Sequence, residues 1–223
     1  MGFPALIVAA GSGQRLGAGG PKALVPLVGR PLYAWSVEAF RAARTIDRIV
    51  VAVPPGRAQD FNEAGIETVD GGDSRSESVA NGLRLIAAGS PDSLIIVHDA
   101  ARPLVTPELI DAAVETLESE PGLDAVIAAA PVTDTIKRVG PDRKVTATLD
   151  RSELVAVQTP QVFRIAALQR AIADGDLAAA TDDAFLIEAA GGSVGLVDAP
   201  SGNIKVTVPD DIELATRLLE ADR

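Results

Sequence analysis

Two cations, Arg15 and Lys22, stand seven residues apart in a loop crowded with glycine at Gly11, Gly13, Gly17, Gly19 and Gly20. Glycines let a backbone turn sharply and come close to a ligand, leaving successive N–H groups facing the concavity. Arginine and lysine beside such amides fit an anionic ligand, most simply a polyphosphate. A short apolar run, residues 6–10, precedes the loop, and α/β folds set their ligand crevice at the end of such a strand. Two familiar phosphate loops are excluded by spacing. Leu16 stands where the dinucleotide fingerprint needs its third glycine, and Lys22 lies between Pro21 and Ala23 rather than in a Gly-Lys-Ser/Thr sequence.

Two further clusters carry polar groups in the right company. Asp70-Gly71-Gly72-Asp73-Ser74-Arg75-Ser76-Glu77-Ser78 opens a helix whose Val79, Leu83 and Ile86 share one face, with Ser74 or Ser76 as its cap. Its free amides suit capping alone or recognition of a base or ribose. A buried strand over 93–97 delivers His98-Asp99-Ala100-Ala101-Arg102-Pro103 at its carboxyl end. An acid there can hold a ribose hydroxyl or a magnesium ion, and Arg102 can hold the loop or a phosphate. His98 reads as a hydrogen-bonded structural residue rather than a base. Lys205, between Ile204 and Val206 in a short extended run, points into a site or a partner unless it snorkels at the surface.

The elements that must position these groups follow from periodicity. Strands are expected over 25–28, 48–53, 125–130, 154–161 and 193–198, and helices over 32–43, 107–118, 165–173 and 182–190, with a last helix from Pro209. A weaker helix and a short strand lead from Pro55 to Asp70, and Trp35 reads as core rather than a stacking platform. Residues 133–153 differ in texture. Val145, Ala147 and Leu149 alternate with Lys144, Thr146 and Thr148 behind a Gly140-Pro141-Asp142 turn, which is a β-hairpin. A two-stranded ribbon is barely stable alone, so it reads as an arm packed on something, such as a second subunit.

Composition bounds the rest. The 223 residues suffice for one sizeable domain, with 47% hydrophobic and 23% charged residues as in soluble globular chains. A formal charge of -11 argues against non-specific nucleic-acid binding. With no cysteine and one histidine, disulfides, thiolate metal sites and cysteine nucleophiles are excluded, and a Ser-His-Asp triad is disfavoured. No apolar run reaches membrane-spanning length and no signal-peptide pattern precedes residue 10, so a cytoplasmic location is expected by elimination.

The segments AAGSGQRLGAGGPKAL, VHDAARP, PVTDTIKR, the pair Asp150-Arg151, VQTPQ, TDDA and NIKVTVPDD occur in that order from the first strand to the last helix. In this set the chain resembles the 2-C-methyl-D-erythritol 4-phosphate cytidylyltransferases of the non-mevalonate route to isoprenoid precursors. The resemblance covers essentially the whole chain. It implies one Rossmann-like nucleotidyltransferase domain, residues 1–223, with a mostly parallel sheet between helices and a protruding arm over 133–153 that makes a homodimer. It implies a reaction of CTP with methylerythritol phosphate, supported by Mg2+. Arg15 and Lys22 match the family's transition-state cations, and Arg151 and Lys205, helped by Thr135 and Thr159, match its grip on the polyol phosphate. Ala9, Ala10, Gly11, Ser12 and Gly13, Gly72, Ser78, Asp99, Ala100 and Arg102 fall on the nucleotide side, with the metal on Asp99 or on CTP phosphates alone. Thr135 and Arg151 are expected to complete the neighbour's site. Asp183 and Phe185, and Ser201-Gly202, depart from the family's usual residues.

Two other readings use the same residues: a cytidylyltransferase for another polyol phosphate such as ribitol 5-phosphate, and a nucleotide-binding protein without catalysis. The chain ends soon after its last helix, at Arg223, and a single activity is expected.

Overall fold

A computed structural model describes residues 2–13, 16–17, 19–87 and 93–221. The apolar run opens as strand β1 (Phe3–Val8), whose Ala5, Leu6 and Ile7 have no exposed surface. The glycine loop leads to a small ribbon, β2 (Pro26–Leu27) with β3 (Arg30–Pro31), and helix α1 (Leu32–Ala42). Strand β4 (Ile46–Val53) follows, and the weaker helix expected beyond it is a single 3-10 turn, Ala58–Asp60. After β5 (Ile66–Asp70), helix α2 (Arg75–Ile86) starts on a capping box: Ser74 Oγ accepts the Glu77 amide while Glu77 accepts the Ser74 amide. Strand β6 (Leu94–Asp99) and helix α3 (Pro107–Ser119) come next, the helix capped by Thr106 with Pro107 in its first turn.

Strand β7 (Ala125–Pro131) leads into the arm, where β8 (Lys137–Val139) pairs antiparallel with β9 (Val145–Thr148). The chain returns through β10 (Val155–Arg164), α4 (Ile165–Asp174), α5 (Asp183–Ala189) and β11 (Val194–Asp198) to α6 (Pro209–Ala221). The seven strands of the main sheet lie in the order β11-β7-β10-β6-β1-β4-β5. All pairs are parallel except those of β10, which runs against both β6 and β7.

Alternate residues of the strands enter two cores. Ala5, Ile7, Val51 and Ile96 pack against α1 and α3, through Val37, Phe40, Ile110 and Val114. Leu6, Val50, Ile95 and Val97 pack against α2, α4 and α5, through Val79, Leu83, Leu168 and Ile187. Both faces of the sheet are covered, which is why its strands read as continuous apolar runs. A third cluster joins Leu27, Leu32, Val206 and Ala215, with Trp35 half-buried against it. Trp35 thus belongs to a core, as its spacing implies, and its Nε1 donates to the Leu27 carbonyl at 3.0 Å.

The topology fixes where ligands can sit. From β1 the chain moves outward to β4 and β5, then crosses back to β6 on the other side of β1. The crevice outside the carboxyl ends of β1 and β6 is therefore the switch point of the sheet. Because β10 is reversed, it presents its amino-terminal residues at that same edge. Val155 pairs with Pro131 at the carboxyl end of β7, and Gln161 pairs with Val97. Gln158 and Thr159 are brought beside the end of β6 in this way.

Candidate active site

A cleft of about 510 Å³ occupies the switch point. Its walls are the glycine loop from Ala9 to Gly13 with Lys22, the segment Gly72–Arg75 with Ser78, and Asp99–Ala101 with Lys205. The loop is tied across its base, since the Lys22 amide donates to the Gly11 carbonyl at 3.1 Å and the Ala9 amide donates to Ala52 at 2.8 Å. Gly13 has φ +69°, and a Cβ there would meet the Lys22 backbone at 3.1 Å, so that turn admits glycine alone without strain. On the opposite wall, a Cβ on Gly71 would fall 2.5 Å from Ala10 Cβ. The two glycine segments therefore approach as closely as bare backbone allows.

Ser78 is buried, its Oγ accepting the Gly72 amide at 3.0 Å and donating to the Ser74 carbonyl at 2.9 Å. It shapes the Gly72 turn as well as lining the cleft. Asp99 closes the floor. Its Oδ1 accepts Arg75 Nε at 2.9 Å and its Oδ2 lies 2.6 Å from Lys205 Nζ. Burial would push this carboxyl up, but Arg75 and then Lys205 pull it well below the usual carboxylate range. Asp99 is therefore ionised at any pH at which the protein works.

A second cleft of about 370 Å³ adjoins the first, sharing Arg75, Asp99 and Lys205 and adding Arg102, Val157, Gln158, Thr159, Gln161 and Asp182. Arg102 lines this second cleft, and its guanidinium is spent largely on protein: Nη1 donates to the Asn203 carbonyl at 2.8 Å and Nη2 to Val157 at 3.3 Å. Burial lowers it from its ordinary value. Asn203 is fully buried, donating through Nδ2 to Gln158 Oε1 and the Thr159 carbonyl, and so pins the loop that carries Lys205.

Of the residues singled out from sequence, Ala9 to Gly13, Lys22, Gly72, Ser78, Asp99, Ala100 and Lys205 line the first cleft, and Thr159 and Arg102 the second. Arg15 lies outside the described residues. Thr135 and Arg151 are exposed at the root of the arm and line neither cleft, Arg151 donating to the Thr133 carbonyl at 2.7 Å. Sequence reasoning passed over Arg75, Asn203 and Gln158. Arg75 stands in plain view, directly after the capping serine, but nothing in its neighbours along the chain announces that it reaches Asp99 and Asp183.

Among the described residues no group of three or more His, Cys, Asp or Glu side chains converges as a metal cage. Two carboxylates, Asp73 and Asp99, line the cleft, and Asp99 is already held by Arg75 and Lys205. That donor set suits a hard cation which keeps waters and takes most of its ligands from substrate phosphates, as Mg2+ does.

A sequence profile described as IspD, 2-C-methyl-D-erythritol 4-phosphate cytidylyltransferase, matches residues 3–221. The enzyme of that name from Rubrobacter xylanophilus is 43% identical, over 99% of this chain and 96% of its own length. Among solved structures, the Thermus thermophilus cytidylyltransferase superposes with a TM-score of 0.77 at 33% identity, covering 99% of this chain and 100% of that one. The Francisella tularensis structure gives 0.83 at 31% identity, covering 97% and 99%. The cleft at the switch point, the Lys205–Asp99 pair beside it and a match along nearly the whole length agree: the chain belongs to the 2-C-methyl-D-erythritol 4-phosphate cytidylyltransferase family.

Proposed function

We propose that residues 1–223 act as one cytidylyltransferase unit that transfers CMP from CTP to 2-C-methyl-D-erythritol 4-phosphate. The products are 4-diphosphocytidyl-2-C-methyl-D-erythritol and pyrophosphate. The observation that carries this reading is the pair of joined clefts with Lys205 on their shared wall. A nucleotide fits the glycine-walled cleft, and a small phosphorylated polyol fits the polar one.

In the reaction an oxygen of the polyol phosphate attacks the α-phosphorus of CTP, and the bond from that phosphorus to the bridging oxygen breaks as pyrophosphate leaves. The nucleophile is already ionised at neutral pH, so no general base is required. This agrees with the one histidine of the chain being buried and hydrogen-bonded away from the cleft. What the site must supply is neutralisation of charge at the crowded phosphorus, and alignment. Lys22, with Arg15 in the same loop, is assigned the transition-state charge. The amides of Gly11 to Gly13 receive the triphosphate, and Gly72 and Ser78 face the base. Lys205 and Arg151 hold the polyol phosphate with Thr135, while Thr159 fixes Asp99 from behind. Arg102, which lines the second cleft, is assigned to ordering the Asn203 loop.

Asp99, one of the cleft's two carboxylates, would help hold Mg2+, which would supply further neutralisation of the triphosphate's charge. The arm over 133–153 is assigned to a homodimer in which it carries Thr135 and Arg151 to the neighbouring site. Val139 and Val145 support this, being 59% and 60% exposed on an otherwise thin ribbon. No helix among the described residues is long and apolar enough to cross a membrane, in keeping with action on water-soluble substrates in the cytoplasm.

The test is pyrophosphate release with Mg2+ and CTP, run in parallel with methylerythritol 4-phosphate and ribitol 5-phosphate. Turnover with the first and not the second is expected. Turnover with ribitol phosphate alone would overturn the acceptor assignment, and silence with both would overturn the activity.

A further inference from the structure

Behind Asp99 lies a line of alternating charges that the reaction as described does not use. Asp183, the first residue of α5, has a side chain with no exposure, and its Oδ2 accepts Arg75 Nη1 at 2.6 Å. Arg75, the first residue of α2, turns its Nε to Asp99 Oδ1 at 2.9 Å. Asp99 at the end of β6 then meets Lys205 at 2.6 Å, and the lysine side chain is 43% exposed. Two cations and two carboxylates thus run from a buried anchor to the shared mouth of the clefts. The row joins four separate segments of the chain.

We infer that Asp183 and Arg75 are positioning residues, a buried brace that fixes Asp99 and through it aims the Lys205 ammonium at the acceptor phosphate. The inference rests on the activity proposed above. Removing Arg75 leaves Asp183 buried without its cation, and removing Asp183 leaves Arg75 held on one side only, by Asp99, which is costly enough to rearrange the row. An ammonium has three donors, and with one directed at Asp99, two remain for an incoming anion. The direction of those two is set only as well as Asp99 is held. A carboxylate held by Lys205 alone would be free to swing whenever the lysine engaged a phosphate. The planar fork of Arg75, engaging two carboxylates at once, removes that freedom, and a lysine in its place could not span both.

The experiment is steady-state kinetics on the full chain for Asp183→Asn, Lys205→Ala and the double variant. Asp183→Asn is expected to raise KM for methylerythritol 4-phosphate about tenfold while KM for CTP moves less than about threefold, because the brace acts through the acceptor's lysine. In the Lys205→Ala background the same substitution is expected to add almost nothing. Asp183→Glu, which keeps the charge, should recover most of the loss. Equal effects on both KM values, or a full tenfold effect in the Lys205→Ala background, would overturn the brace. Should Asp183→Asn lose its cooperative thermal transition, Arg75→Lys decides by the same comparison with and without Lys205→Ala. A wild-type chain that releases no pyrophosphate with either acceptor would overturn the activity and the brace together; failure of the brace alone requires an active wild type.

Discussion

The hydroxyl of Thr159 lies 3.0 Å from Nδ1 of His98 and accepts the amide of Asp99 at 3.1 Å. The other ring nitrogen, Nε2, stands 3.1 Å from the Arg102 carbonyl. A carbonyl only accepts, so Nε2 carries the ring proton and Nδ1 is bare in the neutral ring. Thr159 therefore gives its single proton to the imidazole. The buried node of β6 and β10 is thus fully satisfied by a neutral histidine, and Thr159 serves the site by fixing the Asp99 backbone.

The node predicts a pH dependence of stability. Burial, chiefly, lowers His98 to about 4 from 6.5; the Asp99 charge and the Arg102 carbonyl oppose this, and the guanidinium charges of Arg102 and Arg75 add to it. Between those values the unfolded chain binds a proton that the folded chain refuses. Stability is therefore full above about pH 6.5 and falls as the pH drops toward 4, by about 3 kcal/mol in all. Asp99, already held low, adds its own loss only below the ordinary carboxylate range. Urea unfolding midpoints measured from pH 7.5 to 4.5 check this. The slope should flatten in His98→Gln, and an unchanged slope in that variant would remove His98 as its source.

Lys22 tests the glycine loop. It lines the first cleft from the far end of a loop tied by its own backbone amide. Lys22→Ala should leave the fold and thermal transition unchanged and lower turnover by about a hundredfold or more, the scale of losing one contact to developing transition-state charge. Single-turnover rates at saturating CTP are the measurement. Activity within a few-fold of wild type would take Lys22 out of the chemistry.

The parts of this molecule legible in its sequence are those encoded locally. Residues 94–97 announce a buried strand because they are apolar on both faces, and Gly13 announces a turn because only glycine tolerates its φ. The hairpin is legible from period-two alternation around Gly140-Pro141-Asp142. Arg75, Asp183, Gln158 and Asn203 are not, since their partners lie 24 to 108 residues away along the chain. Their pairing depends on the reversal of β10 and on the ends of α2 and α5 meeting over the sheet edge. Periodicity carries no information about either.

The arm yields a prediction that one subunit cannot satisfy alone. Arg151 and Thr135 line neither cleft of their own chain, although the proposed chemistry needs a second cation on the polyol phosphate. If each arm serves the neighbour, mixing Lys22→Ala with Arg151→Ala subunits creates mixed dimers with one intact site, formed by Lys22 of one chain and Arg151 of the other. Equal mixing followed by subunit exchange should restore about a quarter of wild-type activity, since about half the dimers are mixed and each has one working site of two. No recovery, with exchange verified by mass, would place Arg151 in its own subunit's site.

The closest approach of the two glycine segments can be tested without touching any charged group. A methyl on Gly71 would stand 2.5 Å from Ala10 Cβ, 2.9 Å from Ser78 Oγ and 3.2 Å from the Val53 carbonyl, and the Ser78 hydroxyl is itself held by the Gly72 amide and the Ser74 carbonyl. Gly71→Ala must therefore push the segment before α2 away from the glycine loop, at about 1–3 kcal/mol of stability, the usual cost of overpacking. The displaced segment carries Gly72 and, through its amide, the Ser78 hydroxyl. CTP binding should weaken more than binding of the polyol phosphate, for which the second cleft, sharing Asp99 with the first, is proposed. Calorimetric titration of each ligand into wild type and variant separates the two effects. Equal losses for both ligands would show a general loosening of the fold, and an unaltered CTP affinity would mean that this wall does not contact the nucleotide.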